Sequence, residues 1–468
     1  DLKGAGPRDP VPEWWSICFP HVTIDAMPAF HLLNFGCRAS QADGAALKLQ
    51  LLQSGLTEAA SPECSEIAVL NTCTVTATAD AEVRQAIRRI HRRNPKCRVL
   101  VTGCYAQRAP SEIAALDGVA WVVGNSHKHE VAEILRRDLG LTGGCADGAG
   151  EPASQPETMA GEIGAEFHFL PAFSDDRTRP TLKVQDGCNA QCAFCVIPAV
   201  RGRSRSLPPE RVIAEVRRLE SEGYKEIVLS GINLGSYGRD LQPRIAFLGL
   251  LERILSDTQI ARVRISSIEP MDVSPALVQI AASNPRIAEH FHIPLQSGSD
   301  RILRQMSRRY WTRQYEERIM AIREALPHSG IGADVMTGFP GETAADHAAS
   351  ARFIESLPFT YLHVFPFSAR PGTAAAARTD QVNGRIAHER AAELRAIALA
   401  KRRLFLESQV GRVLSVLTLH GTAGAERIAM SSNYLTVLLP GSDSVPNRLL
   451  DARVRRVHED SLYAQTRT

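Results

Sequence analysis

Apolar and polar positions divide the chain into regions with different periodicities. From residue 28 to residue 140, short apolar runs typical of strands alternate with longer runs whose apolar residues recur every three or four positions. The predicted strands are AFHLLNF, EIAVLNT, CRVLVTG and VAWVV, and the predicted helices are QADGAALKLQLLQSG, DAEVRQAIRRIHRRN and HKHEVAEILRRDLG. This βαβα order predicts an α/β domain with an open, mostly parallel sheet.

A second alternating region runs from residue 176 to residue 405. Helical patterns separate six apolar runs: TLKVQD, EIVLSG, RVRIS, HFHIP, IGADVM and YLHVF. One helix begins at Pro209 and ends before Gly223, with proline in its first turn and glycine after its last. Six βα units in this length predict a partial (β/α)6 barrel of the TIM type.

The remaining regions lack this alternation. Residues 408–468 contain the β-rich runs GRVLSVLTLH, NYLTVLLP, LLDARVRRV and SLYAQT, which predict a small antiparallel β-barrel. Residues 141–175 are rich in Gly, Ala, Pro and acidic residues, and we expect a linker there. Residues 1–27 lack the charged-then-apolar pattern of a signal peptide and are expected to form a disordered leader.

The composition indicates the cellular compartment and argues against a membrane-spanning segment. The chain has 468 residues, 10 cysteines and a formal net charge of +3, so a surface for nucleic acid has to be a local patch. No apolar run approaches the roughly 18 residues that cross a bilayer. Cysteines without export signals indicate a reducing compartment, here expected to be the cytoplasm, where clustered thiols more often bind metal than form disulfides.

Three cysteines with the spacing C-x3-C-x2-C follow the first strand of the predicted barrel: Cys188, Cys192 and Cys195. Active sites of such barrels lie at the carboxyl ends of the strands. Three thiolates can hold three irons of a [4Fe–4S] cube and leave the fourth iron open for a cofactor. The alternative is a structural zinc site with a distant fourth ligand, but structural zinc usually closes all four positions with paired knuckles.

Three further cysteines each follow a predicted strand of the N-terminal domain: Cys37, Cys73 and Cys104. The carboxyl ends of parallel strands share one edge of the sheet, so these thiols can converge although they are distant in sequence. Gly36 and Gly103 precede two of them and would allow a close approach of the backbone. The alternative is three unrelated buried thiols, since cysteine is among the most buried residue types.

The first trio resembles the signature of radical S-adenosylmethionine (SAM) enzymes, including an aromatic residue, Phe194, before the last cysteine. The resemblance implies that the open iron binds SAM and that one electron from the cluster cleaves SAM to a 5′-deoxyadenosyl radical. It also implies that residues at the other strand ends line the SAM pocket beside Phe194. These are Ser230, Gly231, Glu269, Gln296 and Asp334.

Both trios and the small β-barrel together resemble the methylthiotransferase family from about residue 28 onward. The resemblance implies two [4Fe–4S] clusters and two SAM molecules, one to methylate a sulfur on the second cluster and one to supply the radical. An electron donor such as flavodoxin or ferredoxin is then a partner. The motifs NFGCRASQAD, VTGCYAQR, SGSDRILRQMSRRY and GADVMTGFPGET most resemble the branch that modifies N6-threonylcarbamoyladenosine beside the tRNA anticodon. Ser40 and Ala199 depart from that branch.

Basic residues agree with an RNA substrate presented by an anticodon loop. The expected phosphate contacts are Arg201, Arg203 and Arg205 behind the first trio, Arg84 and Arg88 on a helix, and Arg453, Arg455 and Arg456 in the C-terminal barrel, which resembles the RNA-binding TRAM domain. The helical arginines can alternatively form a solvated face. Other substrates stay open, namely isopentenyladenosine in tRNA or a ribosomal-protein aspartate, as do a non-catalytic iron–sulfur regulator and a zinc-dependent RNA-binding protein.

Overall fold

The computed structural model describes residues 27–141, 155–168, 178–441 and 445–466. The N-terminal region forms a six-stranded, fully parallel sheet in the order β2-β1-β3-β4-β5-β6. Its strands are β1 (Ala29–Asn34), β2 (Thr57–Glu58), β3 (Ile67–Thr72), β4 (Arg98–Gly103), β5 (Val119–Gly124) and β6 (Glu157–Met159). Its helices are α1 (Arg38–Gln53), α2 (Ala77–Arg93), α3 (Cys104–Arg108), α4 (Pro110–Ala114) and α5 (Val131–Asp138).

The predicted open α/β sheet is therefore confirmed, with all four predicted strands present. Strand β3 is buried along its whole length, as expected for an apolar run in the centre of a parallel sheet. The region predicted as a linker differs in one respect, because β6 pairs with β5 at the edge of the sheet. Strand β6 has only three residues, which is too few for an alternating pattern to be recognised in the sequence. The expected leader lies, apart from Met27, outside the described residues.

The central region forms the partial barrel. Its parallel strands are β7 (Thr181–Asp186), β9 (Glu226–Gly231), β10 (Arg262–Ile265), β11 (His290–His292), β12 (Gly330–Thr337) and β13 (Tyr361–Pro366), with a short antiparallel β8 (Arg205–Ser206) at the edge. Isolated β-bridges join the sheet that ends with β10 to the sheet that begins with β11. The helices are α6 (Ile197–Arg201), α7 (Pro209–Ser221), α8 (Phe247–Asp257), α9 (Pro275–Ser283), α10 (Asp300–Gln305), α11 (Thr312–Ala325), α12 (Ala344–Ser356) and α13 (Gly384–Glu407).

Alternation along the barrel strands separates an apolar layer from a polar interior. On β12, Ile331, Ala333 and Val335 are buried in the core that also contains residues of the surrounding helices. The intervening Asp334 points to the other side, where it meets His292 of β11 and His363 of β13. The barrel interior is thus lined by polar and aromatic side chains.

The C-terminal region is a closed five-stranded barrel in the order β14-β15-β16-β18-β17. Its strands are β14 (Val413–Ala423), β15 (Glu426–Ser431), β16 (Thr436–Pro440), β17 (Leu449–His458) and β18 (Ser461–Thr466). All pairings are antiparallel except that of β16 with β18. Strand β15, with the polar sequence ERIAMS, was not predicted. Among the described residues, no helix combines the length and apolar character needed to cross a bilayer.

The loop 431–434 of this small barrel closes one end of the central barrel. The guanidinium of Arg264, which is fully buried, donates to the backbone oxygens of Ser431 and Ser432 at 3.0 and 2.9 Å. Arg264 also forms an ion pair with Glu226 at 2.7 Å. A Cβ on Gly330 would lie only 2.3 Å from the Asn433 carbonyl oxygen, so glycine is needed for this close approach. The C-terminal barrel is therefore anchored at the amino ends of the central strands.

Candidate active site

The first cysteine trio lies at the carboxyl end of β7, as predicted. Cys188, Cys192 and Cys195 are all half-buried free thiols in the connection between β7 and α6. The Cys188 sulfur accepts a hydrogen bond from the Ala190 amide at 3.3 Å, and the Cys192 sulfur accepts one from Arg308 Nη1 at 3.4 Å. These donors fix the directions of two of the sulfurs.

Burial disfavours the deprotonated form of these cysteines unless a cation is bound to the sulfur. It raises the pKa of Cys195 to about 12, and it also raises the pKa of Cys188. A coordinating metal reverses this effect, because a thiol bound to a cation is deprotonated outright. Three neighbouring thiols, two of them with raised pKa values, are therefore well suited to an iron–sulfur cluster.

The residues expected around SAM occupy the adjoining strand ends. Phe194 packs against an apolar cluster that contains Met306 and Phe339. Glu269 forms an ion pair with Arg308, although burial still raises the pKa of Glu269. Ser230 and Gly231 end β9, where a Cβ on Gly231 would meet Gln185 and Leu234 at 3.0 Å. The small size of Gly231 is thus explained by packing within the protein.

Two buried oxygens at this barrel mouth have no hydrogen-bond partner among the described residues, namely Asn233 Oδ1 and Gln296 Oε1. Buried polar atoms normally have a partner, so these two atoms indicate a polar ligand. Asp334, by contrast, is already held by His292 at 3.2 Å and His363 at 3.1 Å. Although burial acts in the opposite direction, these imidazoles keep the pKa of Asp334 below its usual range. The mouth therefore suits a cofactor with polar groups, as SAM has.

The second trio converges at one edge of the N-terminal sheet. Cys37, Cys73 and Cys104 follow β1, β3 and β4, which are adjacent in the sheet. A Cβ on Gly36 (φ +99°) would lie 2.7 Å from the Cys73 sulfur, which shows how closely the β1 and β3 ends approach. Burial, followed by the charges of Cys104 and Cys37, raises the pKa of Cys73 to about 11. The three thiols are therefore close enough to interact electrostatically.

The segments that carry the two trios pack against each other across the domain interface. Cys104 is buried in an apolar contact with Val196 and Val200, and Val196 directly follows Cys195. Asn125 spans the same interface, donating to the Val200 carbonyl at 2.7 Å and to the Cys104 sulfur at 3.5 Å. Cys104 of the second trio therefore packs against the segment that directly follows the first trio.

A buried ion network lies beside the second trio. It contains Asp43 of α1, Lys128, Lys183 and Asp186 of β7, and Arg201 of α6. Three cations and two carboxylates leave one surplus positive charge. Although burial acts against it, Asp186, Cys104 and Asp43 raise the pKa of Arg201. The surplus charge favours the anionic thiolate ligands that a cluster requires.

The predicted RNA contacts separate into buried and exposed arginines. Arg201 is 2 % exposed and binds Asp43 and Asp186, so its assignment as a phosphate contact is corrected. Arg205 is half-buried and donates to two backbone carbonyls. Arg84 is partly exposed and is paired with Glu112. Arginines with exposed side chains are Arg88, Arg203, Arg453, Arg455 and Arg456.

Sequence reasoning missed Arg308, Asn233 and Asn125, which contact or approach cysteine sulfurs of the two trios. Asn233 follows β9, so its position at a strand end was available as a signal. Arg308 lies in the connection between α10 and α11, where nothing in the local pattern separates it from Arg309. Ser40 is buried, with its hydroxyl 3.7 Å from the Cys37 sulfur, whereas Ala199 is exposed.

Comparisons with known proteins match two regions of the chain. Residues 29–124 match the family described as "Uncharacterized protein family UPF0004", and residues 182–354 match the Radical SAM superfamily. These regions correspond to the N-terminal sheet and to the barrel strands β7–β12 with their helices, up to part of α12.

Curated relatives cover most of the chain. A threonylcarbamoyladenosine tRNA methylthiotransferase MtaB of Aquifex aeolicus is 37% identical over 88% of this chain and 97% of its own length. An MtaB of Bacillus subtilis is 35% identical over 92% and 94%. A tRNA-2-methylthio-N(6)-dimethylallyladenosine synthase of Pelotomaculum thermopropionicum is 32% identical over 84% and 86%.

Solved structures agree at the level of the fold. The radical SAM methyltransferase TsrM of Kitasatospora setae, with cobalamin and a [4Fe-4S] cluster bound, superimposes with a TM-score of 0.55 at 14% identity. The match covers 75% of this chain and 77% of that one. The barrel and its N-terminal α/β partner are thus an arrangement found in radical SAM enzymes.

Proposed function

Because the chain belongs to the radical SAM tRNA methylthiotransferase family, we propose that it adds a methylthio group to C2 of N6-threonylcarbamoyladenosine at position 37 of tRNA. The observation that carries this proposal is the contact of Cys104, from the second trio, with Val196 and Val200 of the segment that directly follows the first trio. Sulfur insertion into a C–H bond needs a radical generator and a sulfur carrier directed at one atom. Two incomplete thiolate sites across one interface fit that need.

Each trio would hold one [4Fe–4S] cluster with an open iron. When bound, the clusters and two SAM molecules supply reductive cleavage of SAM, abstraction of hydrogen and transfer of a methylated sulfur. The chain's own residues then have positioning tasks. Arg308 holds the Cys192 sulfur and Glu269 together at the barrel mouth, and Asn233 and Gln296 offer unpaired oxygens to SAM.

The interface also excludes water from the reacting atoms. Arg370, from the loop after β13, binds the buried Asp80 of α2, and Ser368 accepts a hydrogen bond from the Ala77 amide at 2.9 Å. These contacts close the N-terminal sheet over one side of the barrel mouth. The buried Arg370 and Asp80 pair would help to keep solvent from this side of the site, as selective hydrogen abstraction requires.

The relatives support the substrate assignment, because the MtaB proteins of Aquifex and Bacillus are 37% and 35% identical to this chain and the Pelotomaculum dimethylallyladenosine synthase is 32% identical. The alternative is isopentenyladenosine in tRNA, favoured by the Pelotomaculum relative. We propose that exposed Arg203, Arg88, Arg453, Arg455 and Arg456 meet tRNA phosphates. A flavodoxin or ferredoxin would supply electrons, and a cytoplasmic location stays a prediction.

Nucleoside mass spectrometry of tRNA from a deletion strain tests the proposal. We expect the methylthio form of threonylcarbamoyladenosine to disappear and its unmethylthiolated precursor to accumulate. The gene should restore the product, whereas a Cys73→Ala copy should not. Loss of the methylthio form of isopentenyladenosine instead would assign the alternative substrate, and no change in either nucleoside would contradict both.

A further inference from the structure

Arg38 directly follows Cys37 and extends into the barrel interior. Its Nη2 donates to the Tyr434 hydroxyl at 2.7 Å, and its guanidinium carbon lies 5.5 Å from the centre of the Tyr434 ring. Tyr434 belongs to the loop 431–434 that closes the barrel. Its ring lies 4.4 Å from His290 and 5.7 Å from Tyr361, both of which line the interior. One arginine thus connects the second trio with the polar interior of the barrel.

Arg38 differs from the other cations around the two trios. Lys128, Lys183 and Arg201 are paired within the buried ion network, and Arg308 is paired with Glu269. Arg370 and Arg108 both bind Asp80. Among the described residues, Arg38 has no carboxylate partner, and Tyr434 occupies only part of its five-donor guanidinium.

The surroundings of Arg38 carry excess positive charge. Glu226 is shared by Arg179, Arg262 and Arg264, while Glu289 acts on Arg262. Burial, followed by the charges of Arg264 and Arg38, lowers the pKa of His290, so this imidazole is neutral. The nearby Asp334 is already matched by two histidines. An anionic group entering the interior would therefore be attracted, and within the described part of the chain it would meet no unpaired carboxylate there.

Two further observations indicate that this interior receives a polar ligand. His290 is 1 % exposed, and its Nδ1 atom has no hydrogen-bond partner among the described residues. Tyr434 has a φ of +67°, an uncommon conformation for a residue other than glycine. The Tyr434 ring lies beneath Arg38, and uncommon backbone conformations of this kind concentrate at ligand sites.

From this geometry we infer that Arg38 binds the threonyl carboxylate of the substrate and so selects threonylcarbamoyladenosine. The inference rests on the proposed function, since it identifies which part of that substrate meets the enzyme. The N6 substituent of the base lies on the same side of the ring as N1 and C2, with its carboxylate a few bonds away. A residue adjacent to Cys37, which holds the sulfur carrier, is placed to meet that carboxylate. An arginine fork suits it with two parallel hydrogen bonds.

A charge-deletion cycle on enzyme and RNA tests the inference. One synthetic anticodon stem-loop carries N6-threonylcarbamoyladenosine, and a second carries the same base with its carboxylate converted to a primary amide. Each is assayed with the reconstituted full chain, either unchanged or as Arg38→Gln. We expect either change alone to lower kcat/KM for methylthiolation at least about tenfold, because a charge-assisted pair is lost. The two changes together should cost little more than one.

Additional variants separate recognition from folding. Arg38→Lys should recover part of the activity, and Tyr434→Phe should cause a smaller loss because it removes only the hydroxyl that orients Arg38. Arg313→Gln, at an 88 % exposed side chain on α11, is the matched control and should match the unchanged enzyme. Iron content and RNA-independent SAM cleavage should stay unchanged in Arg38→Gln.

Several results would overturn the inference. Arg38→Gln could lower activity equally on both RNAs, which would indicate a structural role. It could instead raise the KM for SAM, which would make the carboxylate that of the cofactor. An unchanged enzyme that modifies both RNAs equally would show that the charge is not recognised. A third stem-loop, carrying isopentenyladenosine, tests the proposed function itself. If the unchanged enzyme modifies this RNA and neither of the other two, the proposed function is refuted, and the inference with it.

Discussion

Single residues show that burial decides which arginines stabilise the fold and which can meet phosphate. Arg201 and Arg203 are two positions apart in the same basic segment, yet Arg201 is buried among carboxylates and Arg203 is exposed. The partner Asp43 lies 158 residues earlier in the chain, so no local pattern could reveal it. The positions of the six cysteines, in contrast, could be predicted, because Cys37, Cys73 and Cys104 each follow a recognisable apolar strand and the first trio lies closely spaced after β7. That they bind clusters stays a prediction.

Arg201 and Arg203 give a prediction in which one variant is the control for the other. We expect Arg201→Met to destabilise the protein by about 3 kcal/mol, because it leaves Asp43 and Asp186 buried with fewer hydrogen bonds. Calorimetry should show a lower midpoint of unfolding, and less iron should remain in the second site. Arg203→Met should leave the midpoint unchanged and weaken tRNA binding, with a salt dependence reduced by about one phosphate contact. Equal midpoints for the two variants would contradict this division.

At the scale of elements, the strands predicted from sequence are those with apolar periodicity. Strands β2, β6 and β8 were missed because they have only two or three residues, and β15 was missed because its sequence is polar. Neighbouring strands of the sheets hold all four in place. The loop 431–434 had no sequence signal either, since its role depends on Arg264 at the end of another domain. Contacts between distant elements therefore account for most of what sequence reasoning could not predict.

The C-terminal barrel gives the second prediction. Because its loop caps buried Arg264, surface changes test its RNA role better than a truncation does. Replacing Arg453, Arg455 and Arg456 by Gln should weaken tRNA binding most strongly at low salt and leave RNA-independent SAM cleavage unchanged. Gel-shift titrations at several salt concentrations measure this effect. Gln at exposed Arg313 and Arg385 is the control, and an affinity no weaker than the control's would remove the barrel from the tRNA surface.

For the whole molecule, the decisive feature is that two domains place their strand ends against each other. Cys104 contacts Val196 and Val200, Arg370 binds Asp80, and α1 reaches β7 through the Asp43 and Lys183 pair. Neither domain alone holds more than one trio. The sequence predicted two trios, and the interface that brings them together emerged only from side chains of both domains.

That interface predicts magnetic coupling between the two clusters. When both are reduced to paramagnetic states, the contact of Cys104 with Val196, next to Cys195, keeps them close enough for their electron spins to interact. Electron paramagnetic resonance of the anaerobically reconstituted chain should therefore show a broadened or split signal. Cys73→Ala and Cys192→Ala should each retain about half the iron and show a simple, uncoupled signal, with SAM cleavage kept in the first and lost in the second. If the unchanged protein gave only the sum of the two simple signals, the trios would be too far apart to act on one substrate carbon.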